Sequence, residues 1–253
     1  AVHINAGAAG LALALVLGKR VGWRKEAMRP HSLPLVMLGA GLLWFGWFGF
    51  NAGSSLAANG IAGLAFMNTQ VAAAGAVLGW LLVEKIRNGH ATSLGAASGV
   101  VAGLVAITPA CAFVAPWAAA VIGIIAAVLA IEAVFFIERK LKLDDPVGAI
   151  AVHGVNGIFG VLAVGIFANG SYGAGWNGSP TKGVEGIIKG DWGQLGAQAL
   201  GVAVILCVIF PIAYGFFKIQ NKVTKGGIRS AEEDEIMGLD VPEMGVKAYP
   251  EFT

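Results

Sequence analysis

Charge is what this chain of 253 residues has least of: Asp, Glu, Lys and Arg together make up 13%, about half the usual globular share of about 25%. So few charges cannot coat the outer faces that the helices of a soluble domain need. The high apolar content equally excludes a disordered chain. The same composition excludes a nucleic-acid binder, whereas the excess of 17 Lys and Arg over 15 Asp and Glu by itself says nothing about partners. Cysteine is almost absent. Cys111 and Cys207 are the two present; both lie in or beside apolar runs and read as free thiols rather than a disulfide framework. No apolar run pairs a nucleophile with a base or holds a set of metal ligands. An enzyme is therefore not expected, and neither a metal nor another cofactor is implied.

What the chain has instead is apolar surface. Hydrophobic residues make up 57% and the mean hydropathy is +0.74, which is the composition of a membrane protein. Every charged residue falls within 19–29, 84–87, 132–145, 182–191 or 218–251. A bilayer core of about 30 Å takes about 20 apolar residues to cross as a helix, so the longer charge-free windows each hold more than one crossing. Window 30–83 breaks at the small, polar NAGSSLAANG (51–60). Window 88–131 breaks at TPACAFVAP (108–116), where two prolines interrupt a helix. The pattern predicts seven membrane helices, at about 1–18, 32–51, 60–84, 92–108, 116–138, 147–168 and 193–217, in an all-α polytopic bundle. Residues 1–222 form the expected membrane domain and 223–253 a cytoplasmic tail. The linkers after helices one, three and five, together with the tail, hold 15 of the 17 Lys and Arg. By the positive-inside rule that side is cytoplasmic, in a multi-pass protein of the cell membrane with its C-terminus inside. Ala1 already sits in an apolar run without an initiator Met, so the first helix is expected to be cut.

The most informative pattern is a repeat. AVHINAGAAG (1–10) and AVHGVNGIFG (151–160) share A-V-H-x-x-x-G-x-x-G, with His3 matched to His153, Gly7 to Gly157 and Gly10 to Gly160. Five spans separate the first helix from the sixth, so the two copies run in opposite directions. That is the sign of an inverted repeat, as in transporters whose site lies at the repeat interface near the midplane. About four further helices are then expected before residue 1. A histidine deep in a span is costly and usually faces a pore or a polar partner. Two at matching positions would be brought together by the pseudo-two-fold axis. Each neutral imidazole has one donor and one acceptor, so the pair can share a proton and still offer a polar edge to a small neutral molecule. The competing reading is a pair of packing histidines bonded to backbone. His31 and His90 fall in or beside cytoplasmic loops and read as interfacial. The small faces at Gly7 and Gly10, and at Gly157 and Gly160, suit close helix packing.

Two further features stay open at this level. Trp44, Phe45, Trp47, Phe48 and Phe50, followed by Asn51 and Ser54, crowd the outer end of helix two. They read either as an interfacial aromatic belt or as a cation–π and hydroxyl site that gathers a small cation. Asp145 precedes His153 by eight residues, about two helical turns or 12 Å. It suits a helix N-cap, with Asp144 as a candidate to share that role, better than the alternative of an inner vestibule wall.

With those residues in hand, the chain resembles the ammonium transporter family (Amt/Mep/Rh). The matching runs are VHINAG (2–7), LGKR (17–20), GWFGFNAGS (46–54), LAFMNT (64–69), GLVAITPAC (103–111), DDPVGAIAVHG (144–154), GLD (238–240) and AYPEF (248–252). The resemblance covers the chain from within the fifth of the family's eleven helices. It implies a homotrimer with one pore per subunit, ammonium or ammonia as the transported species and methylammonium as an analogue. His3 and His153 would be the paired pore histidines. Phe50 matches the inner of two stacked phenylalanines at the outer mouth, Ser54 the hydroxyl of the recruitment site, Trp47 a pore-side tryptophan and Asp145 the aspartate of the second histidine's helix. Ammonium would be gathered and deprotonated outside, and ammonia would pass the histidines. Membrane lipid and a PII-type regulatory protein at the cytoplasmic face are the further partners implied, although the loop such a protein would meet (85–91) is short. The first four helices, the outer phenylalanine, the recruitment tryptophan and an aspartate eight residues before His3 are missing from this chain, which is therefore expected to be inactive alone. The alternative function is an ammonium sensor of the same fold.

Overall fold

The structure is a computed structural model describing residues 1–175 and 182–251; Phe252 of the AYPEF run lies outside the described residues. Its apolar helices are α1 (Val2–Leu17), α2 (Leu33–Asn51), α3 (Gly60–Asn88), α4 (Ser93–Ile107), α5 (Pro116–Phe136), α6 (Asn156–Phe167) and α7 (Trp192–Val223). A π-helical segment, Ile150–Val155, leads directly into α6. Five of these stretches, counting Ile150–Phe167 as one, are long and apolar enough to cross a membrane, while α1 and α4 are apolar but shorter. A short α8 (Glu232–Met237) lies in the tail.

Local chemistry sets the helix ends. Asn59 accepts from the Ala62 N–H at 3.0 Å, Thr92 from Gly95 at 2.8 Å and Asp191 from Gln194 at 3.1 Å, each satisfying an amide that a helix start leaves orphaned. Pro34 and Pro116 occupy first turns, where their missing N–H costs nothing. α3 runs to Asn88, four residues past the expected end at 84. It carries Lys85 and Arg87 into its last turn, where they complement the helix dipole, before Gly89 turns the chain at φ +78°. α7 likewise continues six residues past 217, to Val223, despite the internal Pro211.

The core is built from alanine and glycine at α3, α4 and α5. Ala72, Ala73, Ala76, Ala118, Ala119, Ala126 and Ala127 are fully buried. Gly103 and Gly123 bring their helices against α3 so closely that an added Cβ would overlap the Ala72 carbonyl oxygen. Apolar helices have little hydrophobic drive to associate in lipid, so contact between small residues supplies the packing. The break predicted between α4 and α5 is a buried turn. Non-helical backbone at that depth needs internal partners, and Asn68 provides them, its Nδ2 donating to the Cys111 and Val114 carbonyls at 2.8 Å each.

α1 and the segment carrying α6 cross antiparallel. His3 and Ile4 lie against Gly157, Gly7 against Gly154, and Gly10 against Ala149. As one index rises the other falls, which is the opposed direction that the repeat predicts. In contrast to the core helices, α2 buries only Trp47 and Asn51, and α7 only Val202.

Gly123→Val should destabilise the bundle by about 1–3 kcal/mol through overpacking, read as a lower unfolding temperature in detergent. Gly63→Ala, where nothing lies within 4 Å, should not lower that temperature, since alanine is the better helix former.

Candidate functional site

His3 stands on the first turn of α1 and His153 in the π-helical segment before α6. Their Nδ1 atoms are 3.3 Å apart, and the rings stack at 5.4 Å between centroids with 24° between planes. Between two Nδ1 atoms only one proton fits, so one ring donates and the other accepts. His3 is 8% exposed, and its Nε2 has no partner among the described residues.

The aromatic run of α2 closes over this pair. Trp47 lies nearly parallel to the His3 ring, 12° between planes and 5.2 Å between centroids. Phe50 meets His3 edge-on at 5.9 Å and Trp47 edge-on at 5.5 Å. Trp47 is held by Thr108, whose Oγ1 accepts the indole N–H at 2.9 Å and donates to the Leu104 carbonyl at 2.8 Å. Thr108 was not singled out by the sequence, where it reads as the start of a helix break. Its only signal was a hydroxyl beside a proline in an otherwise apolar run.

A cavity lies on either side. The one called outer, after the orientation expected from the loop charges, is about 260 Å³ and is lined by Phe50, Asn51, Ser54, Thr108, Cys111 and Phe113 among others. The Ser54 hydroxyl, at its rim, donates to the Phe50 carbonyl at 2.5 Å. The inner cavity, about 660 Å³, reaches His153 and is walled by Val152, Asp145, Glu138 and Arg20 among others. The structure thus groups His3, His153, Trp47 and Phe50 as one cluster, with Ser54 on the outer side and Asp145 on the inner.

Asp145 is both cap and wall. Its Oδ2 accepts the Ile150 and Ala151 amides at 2.8 and 3.3 Å, and it borders the inner cavity. Burial pushes its carboxyl above the usual range, against the pull of those amides. Two expectations need correcting. Residues 145–148 are not helical, so Asp145 does not sit two helical turns below His153; Gly148, at φ +67°, breaks the helix first. Asp144 takes no part in the cap. It turns away to Arg20, accepting the backbone N–H and Nε at 2.8 and 3.0 Å on Oδ2, and Nη2 at 2.8 Å on Oδ1. Burial would raise this carboxyl, but the bonds and charge of Arg20 outweigh it and hold the group below its usual range. The tail closes on the same face. Arg229 donates to the Leu17 carbonyl and to Glu235, and Glu235 accepts the Val21 amide at 2.7 Å.

The chain matches the model of the Ammonium Transporter Family over residues 1–249. It belongs to the ammonium transporter family. The ammonium transporter of Mycobacterium tuberculosis (strain ATCC 25618 / H37Rv) is 48% identical over 98% of this chain and 51% of its own length. That of Bacillus subtilis (strain 168) is 43% identical over 98% and 59%. Among solved structures, a Sensor Amt Protein superposes with a TM-score of 0.82 at 40% identity, covering 96% of this chain and 58% of that one. Saccharomyces cerevisiae Mep2 does so at 0.82 and 34%, covering 92% and 52%. The chain therefore spans about half the length of the curated relatives it matches. The two curated relatives are named as ammonium transporters, not enzymes, and the helical architecture agrees with that of the two solved structures.

Asp144 is 2% exposed at its side chain and Arg20 40%. Asp144→Asn should cost about 2 kcal/mol at pH 7, a value below that for a fully buried pair because the arginine is half in water. Because the folded value is depressed, that stabilisation is present above the unfolded pKa of about 4 and lost as pH falls through the folded one. The stability gap between wild type and Asp144→Asn, followed by thermal unfolding from pH 7 downward, should therefore close in acid.

Proposed function

We propose that this chain forms the histidine-bearing half of an ammonium pathway across the cell membrane. The observation that carries the proposal is the His3–His153 pair, with Nδ1 atoms 3.3 Å apart, set between an outer and an inner cavity. Ammonium, or methylammonium, is gathered in the outer cavity, where the Phe50 ring offers cation–π attraction and Ser54 an oxygen. It gives up one proton to water there and becomes ammonia. Crossing as the ion would mean losing most of a hydration shell in an apolar passage, which is expensive; the neutral molecule avoids that cost. The imidazole edges replace the hydrogen bonds ammonia leaves behind in water. The molecule then enters the inner cavity beside Asp145. This reading carries with it the family's homotrimer, a surround of lipid, a cytoplasmic C-terminus, and a 1–222 membrane domain followed by a 223–253 regulatory tail that meets a PII-type protein.

A second reading is an ammonium sensor of this fold, favoured by the likeness to the solved Sensor Amt Protein. Flux separates the two: the full-length protein in proteoliposomes should take up ammonium, whereas a sensor should bind it with little transport. In that assay His3→Ala and His153→Ala should each change uptake or the methylammonium-to-ammonium ratio by about tenfold, the loss of roughly one hydrogen bond to the passing molecule. Wild-type rate and selectivity in both variants would refute the assignment of the pair.

A further inference from the structure

We propose that Gly7 and Gly157 are positioning residues that set the spacing of the histidine pair, a proposal that rests on the pore reading above for its functional consequence alone. The motif H-x-x-x-G places each glycine one turn beyond its histidine on the same helix face. Across the pseudo-two-fold axis, each glycine lies against the backbone of the other copy's histidine. A Cβ on Gly157 would fall 3.0 Å from the His3 Cβ, 3.0 Å from the Ile4 nitrogen and 3.1 Å from the His3 carbonyl carbon. A Cβ on Gly7 would overlap the Cα and nitrogen of Gly154, with the His153 carbonyl carbon at 3.2 Å.

Space, not backbone conformation, is what these positions require, since neither glycine has a positive φ. The constraint is also local. One turn along α1, a Cβ on Gly10 would meet only the Ala149 Cβ, at 3.4 Å, an ordinary contact. The two helices are therefore drawn to minimum separation at the histidines themselves. The two seats differ in tolerance. The three atoms nearest a Cβ on Gly7 are all backbone, so a side chain there must force the helices apart. Gly157 faces the root of the His3 side chain and one amide, so a methyl there shifts His3 by a few tenths of an ångström. The Nδ1 atoms are 3.3 Å apart, near the end of hydrogen-bond range, so that shift is enough to break the contact.

The test is Gly157→Ala in the full-length protein, with Gly10→Ala as control and Gly7→Ala as the severe variant. Two readouts are taken: the Nδ1–Nδ1 distance in an experimental structure, and the methylammonium-to-ammonium flux ratio in proteoliposomes at matched protein content. Gly157→Ala should lengthen the distance beyond 3.5 Å and raise the ratio about threefold or more, because a wider gap discriminates less against one extra methyl. Gly10→Ala should match wild type in both. If Gly7→Ala does not fold, Gly157→Ala decides alone. A folded Gly157→Ala with wild-type distance and ratio overturns the proposal and leaves the pore reading intact. A lengthened distance in a protein whose wild type carries no ammonium upholds the positioning role and refutes the pore reading instead.

Discussion

The distance between two helix backbones governs the site. α1 and the segment leading into α6 cross antiparallel where Gly7 meets Gly154 and Gly157 meets His3 and Ile4. No side chain separates the backbones there, so two imidazoles on opposite strands of an inverted repeat come within hydrogen-bond range. The rest of the molecule follows from maintaining that crossing. Trp47, stacked on His3 and tethered through Thr108 to α4, closes one side. Asp145, bonded to the Ile150 and Ala151 amides, fixes the start of the segment that carries His153.

The same economy appears away from the site. Helices that pack in lipid gain little from burying hydrocarbon against hydrocarbon, so the bundle relies on small residues and a few well-placed polar groups. Asn68 satisfies the broken backbone between α4 and α5, and Asn51 bonds Thr69 beneath the aromatic run. Charge is kept to the ends, where Arg20 pairs with Asp144 and Arg229 with Glu235. The tail thereby touches the turn that follows α1, the helix whose other end bears His3. An apolar interior and a charged rim that ties the helix ends together are two results of one distribution.

Much of this was legible in the sequence because the bilayer imposes a simple rule. Charge-free windows located the helices to within a few residues, and the matched histidines announced the crossing. The misses have physical causes. Helix ends at α3 and α7 run past the charge-free windows because lysines, arginines and amides are tolerated, even favoured, in a final turn. Gly148 interrupts the approach to His153 in a way that residue counting does not reveal. Asp144 and Asp145 are neighbours of the same type, and only their partners in space, Arg20 for one and two amides for the other, assign them different tasks. Thr108 and the seating of Gly7 and Gly157 depend on contacts between distant segments, although the four-residue offset from histidine to glycine was present in both copies of the repeat.

At the centre of the account is one proton shared between the Nδ1 atoms of His3 and His153. Nitrogen-15 NMR of the histidine side chains in the full-length protein, assigned with His3→Ala and His153→Ala, reads it directly. One protonated and one bare Nδ1 are expected within the pair, with a change at either ring when the other is removed. Two protonated Nδ1 atoms, or two bare ones that ignore each other's removal, would contradict it.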